Sequence, residues 1–307
     1  MAAVAETPDH VPCHWESGLS TYNPPVTSNT PSVSSEHRLP GPGPRLRVLS
    51  YNIQVGIQSS RYHHFLTNSW KHVLPYRGRQ ENLDRIAEFI SDFDIVGLQE
   101  VDAGSLRSTF INQTEYLAER AGFSNWYSQT NRNFGRFAKH SMGLLSRMPP
   151  HTVVEHKLPG AVPGRGALEA HFGTRENPLV VVQVHLALGQ KTRATQLAYI
   201  AEVLQDHEFA IVLGDMNCRP TSSELRRLVD ATHLADPHHD THTFPSWRPT
   251  RCYDQILVTP HLQVEETRVY PVHYSDHLPV GMSLTLPPDL ACALPAEEPA
   301  KEPNETL

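Results

Sequence analysis

Apolar and polar residues alternate along Leu46-Arg47-Val48-Leu49-Ser50-Tyr51-Asn52-Ile53, a β-rich stretch that predicts a first core strand. From 79 to 90 the apolar positions Leu83, Ile86, Ala87 and Ile90 recur at helical spacing. Asp94-Ile95-Val96-Gly97-Leu98-Gln99-Glu100 then reads as a short apolar strand closed by an acid. A helix is expected near 108–122 and strands at 142–146, 167–171 and 179–185. A further helix is expected over 194–204, with Leu197, Ile200, Ala201 and Leu204 on one face. Strands at 209–213, 254–258, 264–270 and 279–285 complete the pattern. Several of these strands are apolar throughout, which requires cover on both faces. Two stacked sheets with helices outside meet that requirement and place the chain in the α/β class.

Composition narrows the folded part. Half of the 26 prolines lie in 1–44 and 287–307. The first segment is rich in Ser, Thr and Asn without an apolar period, and the second in Pro, Glu and Ala, so both are expected to be disordered. The span 45–286 has the size of one α/β domain. The chain opens without a basic and apolar leader, and no window approaches a run of 18 apolar residues. The expectation is a cytoplasmic protein with no transmembrane segment. Cys13, Cys218, Cys252 and Cys292 lack ligand-like spacing and are expected as thiols, with Cys218 and Cys252 near each other. A net charge of −7 weighs against a broad basic face for nucleic acid, though not against a local basic groove.

Polar groups break the apolar strands at their ends: Asn52, Glu100, His185, Asp215, Asn217, Asp254, Asp276 and His277. Singly, each is an ordinary turn residue. Glu100 stands apart, because a carboxylate at the end of a buried strand is costly unless paired or metal-bound. Together the eight supply what cleavage of a phosphate ester needs. Glu100, with Asn52 and Asp276, offers oxygen ligands to Mg²⁺. Asp215 suits the orientation and deprotonation of a water. Asn217, His185 and His277 supply donors to developing charge, and Asp254 is the carboxylate that fixes the tautomer of His277.

The segments Ser50-Tyr51-Asn52-Ile53, Leu98-Gln99-Glu100-Val101, Val184-His185-Leu186, Gly214-Asp215-Met216-Asn217, Tyr253-Asp254-Gln255-Ile256-Leu257 and Ser275-Asp276-His277-Leu278-Pro279 follow one another over about 47–285. The ordered set resembles the endonuclease/exonuclease/phosphatase superfamily, the DNase I-like phosphohydrolases. The resemblance implies a four-layered α/β sandwich and Mg²⁺- or Mn²⁺-dependent phosphoester hydrolysis. It places Asn52 and Glu100 at the metal, and Asp215 and Asn217 as a water-and-phosphate pair. It puts His185 at the phosphate or leaving group, with Asp254 and Asp276-His277 closing the site. The active-site tyrosine of the superfamily's abasic-site nucleases has Tyr127 as its candidate here.

Substrate class stays open between three choices. A small or lipid-linked phosphodiester fits the acidic chain and the aromatic stretch between Gly56 and Gly78, and allows peripheral membrane contact. In this respect the chain resembles the branch linked to glycosylphosphatidylinositol lipid remodelling and the neutral sphingomyelinases. DNA or RNA fits the superfamily and the basic, aromatic segment 131–140. A phosphomonoester such as an inositol phosphate is third. A binding module without catalysis is disfavoured, because every catalytic position is filled. Arg132, Arg136 and Arg165 are the candidate phosphate contacts. Thr243-Phe244-Pro245-Ser246-Trp247 is expected as a rigid rim loop, and nothing points to a protein partner.

Overall fold

The computed structural model describes residues 43–58, 78–160, 164–236 and 242–291. The expectations placed on 1–42, on 59–77 of the aromatic stretch and on 292–307 lie outside the described residues. Strands β1 (Arg45–Asn52), β2 (Ile95–Asp102), β3 (Asn125–Asn133), β4 (Lys139–Ser146), β10 (Gln263–Val269) and β11 (Val280–Thr285) form one sheet, in the order β10-β11-β1-β2-β4-β3. Strands β5 (Thr152–Lys157), β6 (Gly166–Phe172), β7 (Leu179–His185), β8 (Phe209–Asp215) and β9 (Asp254–Val258) form a second, in chain order.

The period of two sorts the strand residues into layers. On β1, Leu46 and Val48 face the second sheet while Leu49 and Tyr51 face outward. On β7, Leu179 and Val181 face inward, and Val180, Val182 and Val184 outward. The inward residues of both sheets make one core between them. The outward residues of the first sheet are covered by helices α1 (Gly78–Ile90) and α2 (Gln113–Ala121), through Leu83, Ile86, Ile90 and Leu117. Those of the second are covered by α3 (Gln190–Leu204) and α4 (Ser223–Thr232), through Leu197, Ile200, Leu225 and Leu228. The result is a helix–sheet–sheet–helix sandwich of four layers. Gly97 lets the sheets close on each other, since a Cβ there would lie 2.2 Å from Leu213 Cδ1.

Several elements differ from the sequence expectation. Strands β3 and β5 are edge strands with half-exposed side chains, so they carry little apolar alternation to read. Segment 131–140 is the end of the β3–β4 hairpin, not one loop. Helix α4 is short and polar, and its signal was the Ser222 N-cap, whose hydroxyl accepts from Leu225 N at 3.4 Å. The segment from Pro287, expected as tail, begins with a one-turn helix α5 (Pro288–Ala291) that buries Leu290 in the inter-sheet core. Burying a leucine contributes about 2 kcal/mol, enough to hold that turn on the domain. No helix among the described residues is long and apolar enough to cross a membrane.

Candidate active site

The site is built from the last inward-facing residue of successive strands. Inward positions on β1 end at Asn52, on β7 at His185 and on β8 at Asp215. Strand β9 runs antiparallel to β8, so its first residue, Asp254, lies at the same edge. His185 is the register partner of Asp215, and Asp215 of Asp254. These three therefore stand in a row across adjacent strands, about 4.8 Å from strand to strand. Gly214 makes the row possible, because a Cβ at that position would lie 1.9 Å from Val184 O.

Glu100 reaches the site by an irregularity. Leu98 and Val101 both pack outward, which leaves two residues, Gln99 and Glu100, between them. The β2–β4 register shifts there, and Glu100 has a φ of 53°. Strict alternation would turn Glu100 toward the helices; the bulge turns it toward the cleft. Strand β2 continues to Asp102 rather than stopping at the acid. Asp102 anchors that end, accepting from Ser105 N at 2.7 Å, Ser108 Oγ at 2.8 Å and Arg107 Nε at 2.5 Å.

The two sheets meet at Asp215. Asn52 Nδ2, from the first sheet, donates to Asp215 Oδ2 at 3.3 Å. His185 Nε2 lies 3.6 Å from the same oxygen and 3.9 Å from Glu100 Oε1. Asp215 Oδ1 accepts from Asn217 N at 2.9 Å, and Asn217 Nδ2 donates to Leu186 O at 2.9 Å. His277 Nδ1 donates to Asp254 Oδ2 at 2.8 Å, and Thr243 Oγ1 donates to that oxygen at 2.5 Å. Phe244 covers the imidazole, with ring centroids 4.7 Å apart. Ser246 N and Oγ bind Asp276 O and Ser275 O, both at 2.7 Å, so the expected rim loop clamps the Asp276-His277 turn.

Proton affinities in this cluster diverge. Burial holds the Asp215 carboxyl up to about 7, with Asp254 and Glu100 adding to the rise and His277 opposing it. Burial, with the nearby Glu100 charge, holds Asp276 up to about 6 against the charge of His277. Burial pulls the other way on His277, yet the charge and hydrogen bond of Asp254 outweigh it and keep the imidazole protonated well above its ordinary range. His185 is pushed well below that range by burial and by the charges of Arg165, His277 and His140, so it is neutral. Asp215, Asp254 and His277 have ligand atoms within 4.8 Å of one another. Within this trio His277 donates its Nδ1 proton to Asp254, so the pair forms a hydrogen-bonded dyad beside the Asp215 carboxyl group.

A pocket of about 590 Å³ opens beside Glu100 and His185, walled by Arg132, Arg165, His140 and Leu188. Arg165 is drawn down by burial, with Asp215 and Glu100 opposing, and a guanidinium stays charged throughout. Phe134 stacks under Arg132, 4.6 Å from ring centroid to Cζ, and against His140, with centroids 5.8 Å apart. Asn52, Glu100, His185, Asp215, Asn217, Asp254, Asp276 and His277 thus share one strand edge, and Arg132 and Arg165 join them through the pocket wall. Arg136 does not line the pocket; it is exposed at the hairpin tip, where its carbonyl accepts from Leu106 N at 2.7 Å. Tyr127 pairs with Leu144, five residues down β3 from Arg132, and is absent from the pocket wall. Sequence reasoning missed His140, hidden in the basic and aromatic run, and Thr243, which carried no signal of its own. Cys218 and Cys252 are buried and reduced, and Gln255 Nε2 donates to the carbonyls of both, at 2.8 and 3.2 Å.

An α/β sandwich of four layers with this polar edge defines a phosphoesterase-type scaffold. The chain belongs to the endonuclease/exonuclease/phosphatase family, whose model matches residues 49–277. Members of this family are phosphoester hydrolases. Among solved structures, a family protein from Bacteroides thetaiotaomicron is similar with a TM-score of 0.62 at 18% identity, over 80% of this chain and 99% of that one. The mannosyl-6-phosphatase of the same organism is similar with a TM-score of 0.61 at 18% identity, over 78% of this chain and 100% of that one. The human Nocturnin catalytic domain is similar with a TM-score of 0.60 at 18% identity, over 80% of this chain and 94% of that one. At such identities the likeness carries the fold. A search among curated proteins returns no match.

Proposed function

We propose that the protein is a divalent-metal-dependent phosphodiesterase for a small or lipid-linked phosphate ester. The observation that carries this reading is the pairing, within one strand edge, of a buried carboxyl near 7 with a carboxylate-held imidazolium. Hydrolysis needs a proton acceptor and a charged donor together, and neighbouring environments that push two groups apart are how one site supplies both.

The residues present fit a hard cation. Asp276 and Glu100 are carboxylates close enough for the charge of one to raise the other, and among the described residues no Lys or Arg forms an ion pair with either. Asn52, Glu100 and Asp276 would hold Mg²⁺ or Mn²⁺, a donor set of oxygens that suits either ion. Bound there, the ion would polarise the phosphoryl oxygens. Asp215 Oδ2, facing Asn52 and His185, takes the proton of the attacking water as its oxygen adds to phosphorus and the ester P–O bond breaks. Asn217 holds the other oxygen of Asp215 and so fixes its angle. His277, with Nδ1 engaged by Asp254, keeps Nε2–H for a phosphoryl oxygen. Neutral His185 orients the substrate or its leaving oxygen from the opposite side of Asp215.

The pocket supports a small substrate. It is concave, walled by two guanidiniums and by Leu188, which is 76% exposed. That suits a head group with an apolar neighbour more than a polymer, and a net charge of −7 agrees. The test is turnover of bis-p-nitrophenyl phosphate with Mg²⁺ or Mn²⁺, set beside p-nitrophenyl phosphate, single- and double-stranded DNA, RNA and phospholipid vesicles. Diester or vesicle cleavage above that of DNA and RNA is expected. Preference for the monoester or the polymer would replace the substrate reading, and undiminished turnover in Glu100→Gln would sink the site. Arg132→Gln is expected to raise KM about tenfold, roughly the loss of one charge-assisted hydrogen bond, while Arg136→Gln leaves KM within about twofold.

A further inference from the structure

The same sheet carries a second polar cluster at its far end. Glu169 and His171 lie two apart on β6 and therefore on one face, the face turned to helix α3. His207 stands in the turn between α3 and β8. One ligand atom from each of these three lies within 4.8 Å of the others. Two nitrogen ligands about 2.0 Å from a tetrahedral ion are themselves about 3.3 Å apart, so small side-chain movements suffice to close the set. Around it, His156 Nε2 binds Glu169 Oε2 at 2.6 Å, and Tyr199 Oη binds His156 Nδ1 at 2.8 Å. His171 Nε2 binds the other carboxylate oxygen, Oε1. The ring of His171 also meets those of His151 and His207 edge-on, with centroids 5.9 and 5.3 Å apart.

We propose that Glu169, His171 and His207 form a second metal site, specific for a borderline-soft divalent ion of the zinc class. Two imidazoles and one carboxylate select Zn²⁺ over Mg²⁺, whose ligands are oxygens. His156, braced by Tyr199, holds Oε2 and so fixes the carboxylate while Oε1, bound by His171 Nε2, passes to the ion, a supporting arrangement usual for metal-bound carboxylates. Binding releases the proton shared by Glu169 and His171. The site joins β6 to the α3–β8 turn, and its role is to fasten the outer helix to the sheet. His171 pairs with Val180, five residues along β7 from His185, so the two centres are about 17 Å apart.

Titration of tag-free protein with zinc chloride, in excess Mg²⁺, tests the site independently of phosphoester turnover. One tight zinc equivalent is expected in wild type and in Glu100→Gln. His207→Ala and His171→Ala are expected to weaken it at least tenfold, and His156→Phe about tenfold. Co²⁺ substituted at the site is expected to give the intense visible bands of a tetrahedral nitrogen-containing site. His207→Ala lies in a turn, and its far-ultraviolet circular dichroism checks that it folds. Turnover of bis-p-nitrophenyl phosphate with Mg²⁺ is expected to be unchanged in His207→Ala. Absence of zinc binding, equal binding in His207→Ala, or loss of the tight equivalent in Glu100→Gln would each overturn the proposal.

Discussion

The two ends of the sandwich carry the same residue types in opposite electrostatic states. At one end Asp215 and Asp276 are held up to about 7 and about 6, chiefly by burial. At the other, Glu169 is just as buried, yet hydrogen bonds from His156 and His171 bring it to about 2. The difference lies in partners. Glu169 has a histidine on each oxygen. Asp215 stands among other acids, and the imidazolium of His277 beside it is engaged by Asp254. A carboxylate whose charge the protein leaves uncompensated can take a hard cation directly, whereas one held by histidine donors takes an ion only as the shared proton leaves.

The largest expected effect sets the ends apart by activity. Asp215→Asn removes the proton acceptor and is expected to lower kcat about 10³-fold toward bis-p-nitrophenyl phosphate. Glu169→Gln is expected to leave kcat within about twofold under the same conditions. Equal losses in both would erase the distinction between the clusters. Next, Asp254→Asn breaks the imidazolium dyad and is expected to lower kcat about 10²-fold, with its pH profile shifted to lower pH on the alkaline limb as His277 loses its proton more easily. An unshifted profile would detach the dyad from the chemistry.

Stability reverses the ranking. In chelator, Glu169→Gln is expected to cost about 1–3 kcal/mol in urea denaturation, because the buried His156 and the half-buried His171 lose a charged acceptor. The pH dependence sharpens this. A carboxyl lowered on folding from 4.5 to about 2 contributes stability that is complete above its ordinary value and is lost as pH falls toward 2. The gap between wild type and Glu169→Gln is therefore expected to narrow below about pH 4. A constant gap would mean that packing, not charge, is lost.

How far the chain could be read in advance follows the same division. Asn52, His185 and Asp215 were legible because each ends an apolar run, alternating before Asn52 and nearly continuous before the other two, and a period of two states which face they share. Glu100 was legible as an anomaly, although alternation alone would have turned it the wrong way; the bulge that corrects it has no sequence signature. The polar edge strands β3 and β5 hid because one face meets solvent, and Arg132 and Arg136 could not be told apart without the hairpin's register. Glu169 and His171 sit in a strand that was read, but their partners, His156 and His207, come from an unread edge strand and a turn. Contacts across elements are what a single-chain pattern does not carry.

The smallest expected effect is also the one of opposite sign. Asp276 is raised on folding from 3.8 to about 6, so the ionised form is costlier in the folded chain than in the unfolded one. Its contribution to stability is complete below the ordinary value and is lost as pH rises through about 6. Asp276→Asn keeps the shape of the side chain and removes the charge. In chelator at pH 4 the variant and wild type are expected to unfold together. At pH 8 the variant is expected to be more stable by about 1–2 kcal/mol, read as a higher urea midpoint with an unchanged slope. Excess Mg²⁺ is expected to reverse that advantage, since the ion offsets a charge that only wild type has. The Glu169 pair loses stability toward acid and the Asp276 pair toward base, so one pH series on three proteins measures both signs. A stability gain in Asp276→Asn that is as large at pH 4 as at pH 8 would show that the carboxylate is not the burden, and the active-site end would then be compensated like the other.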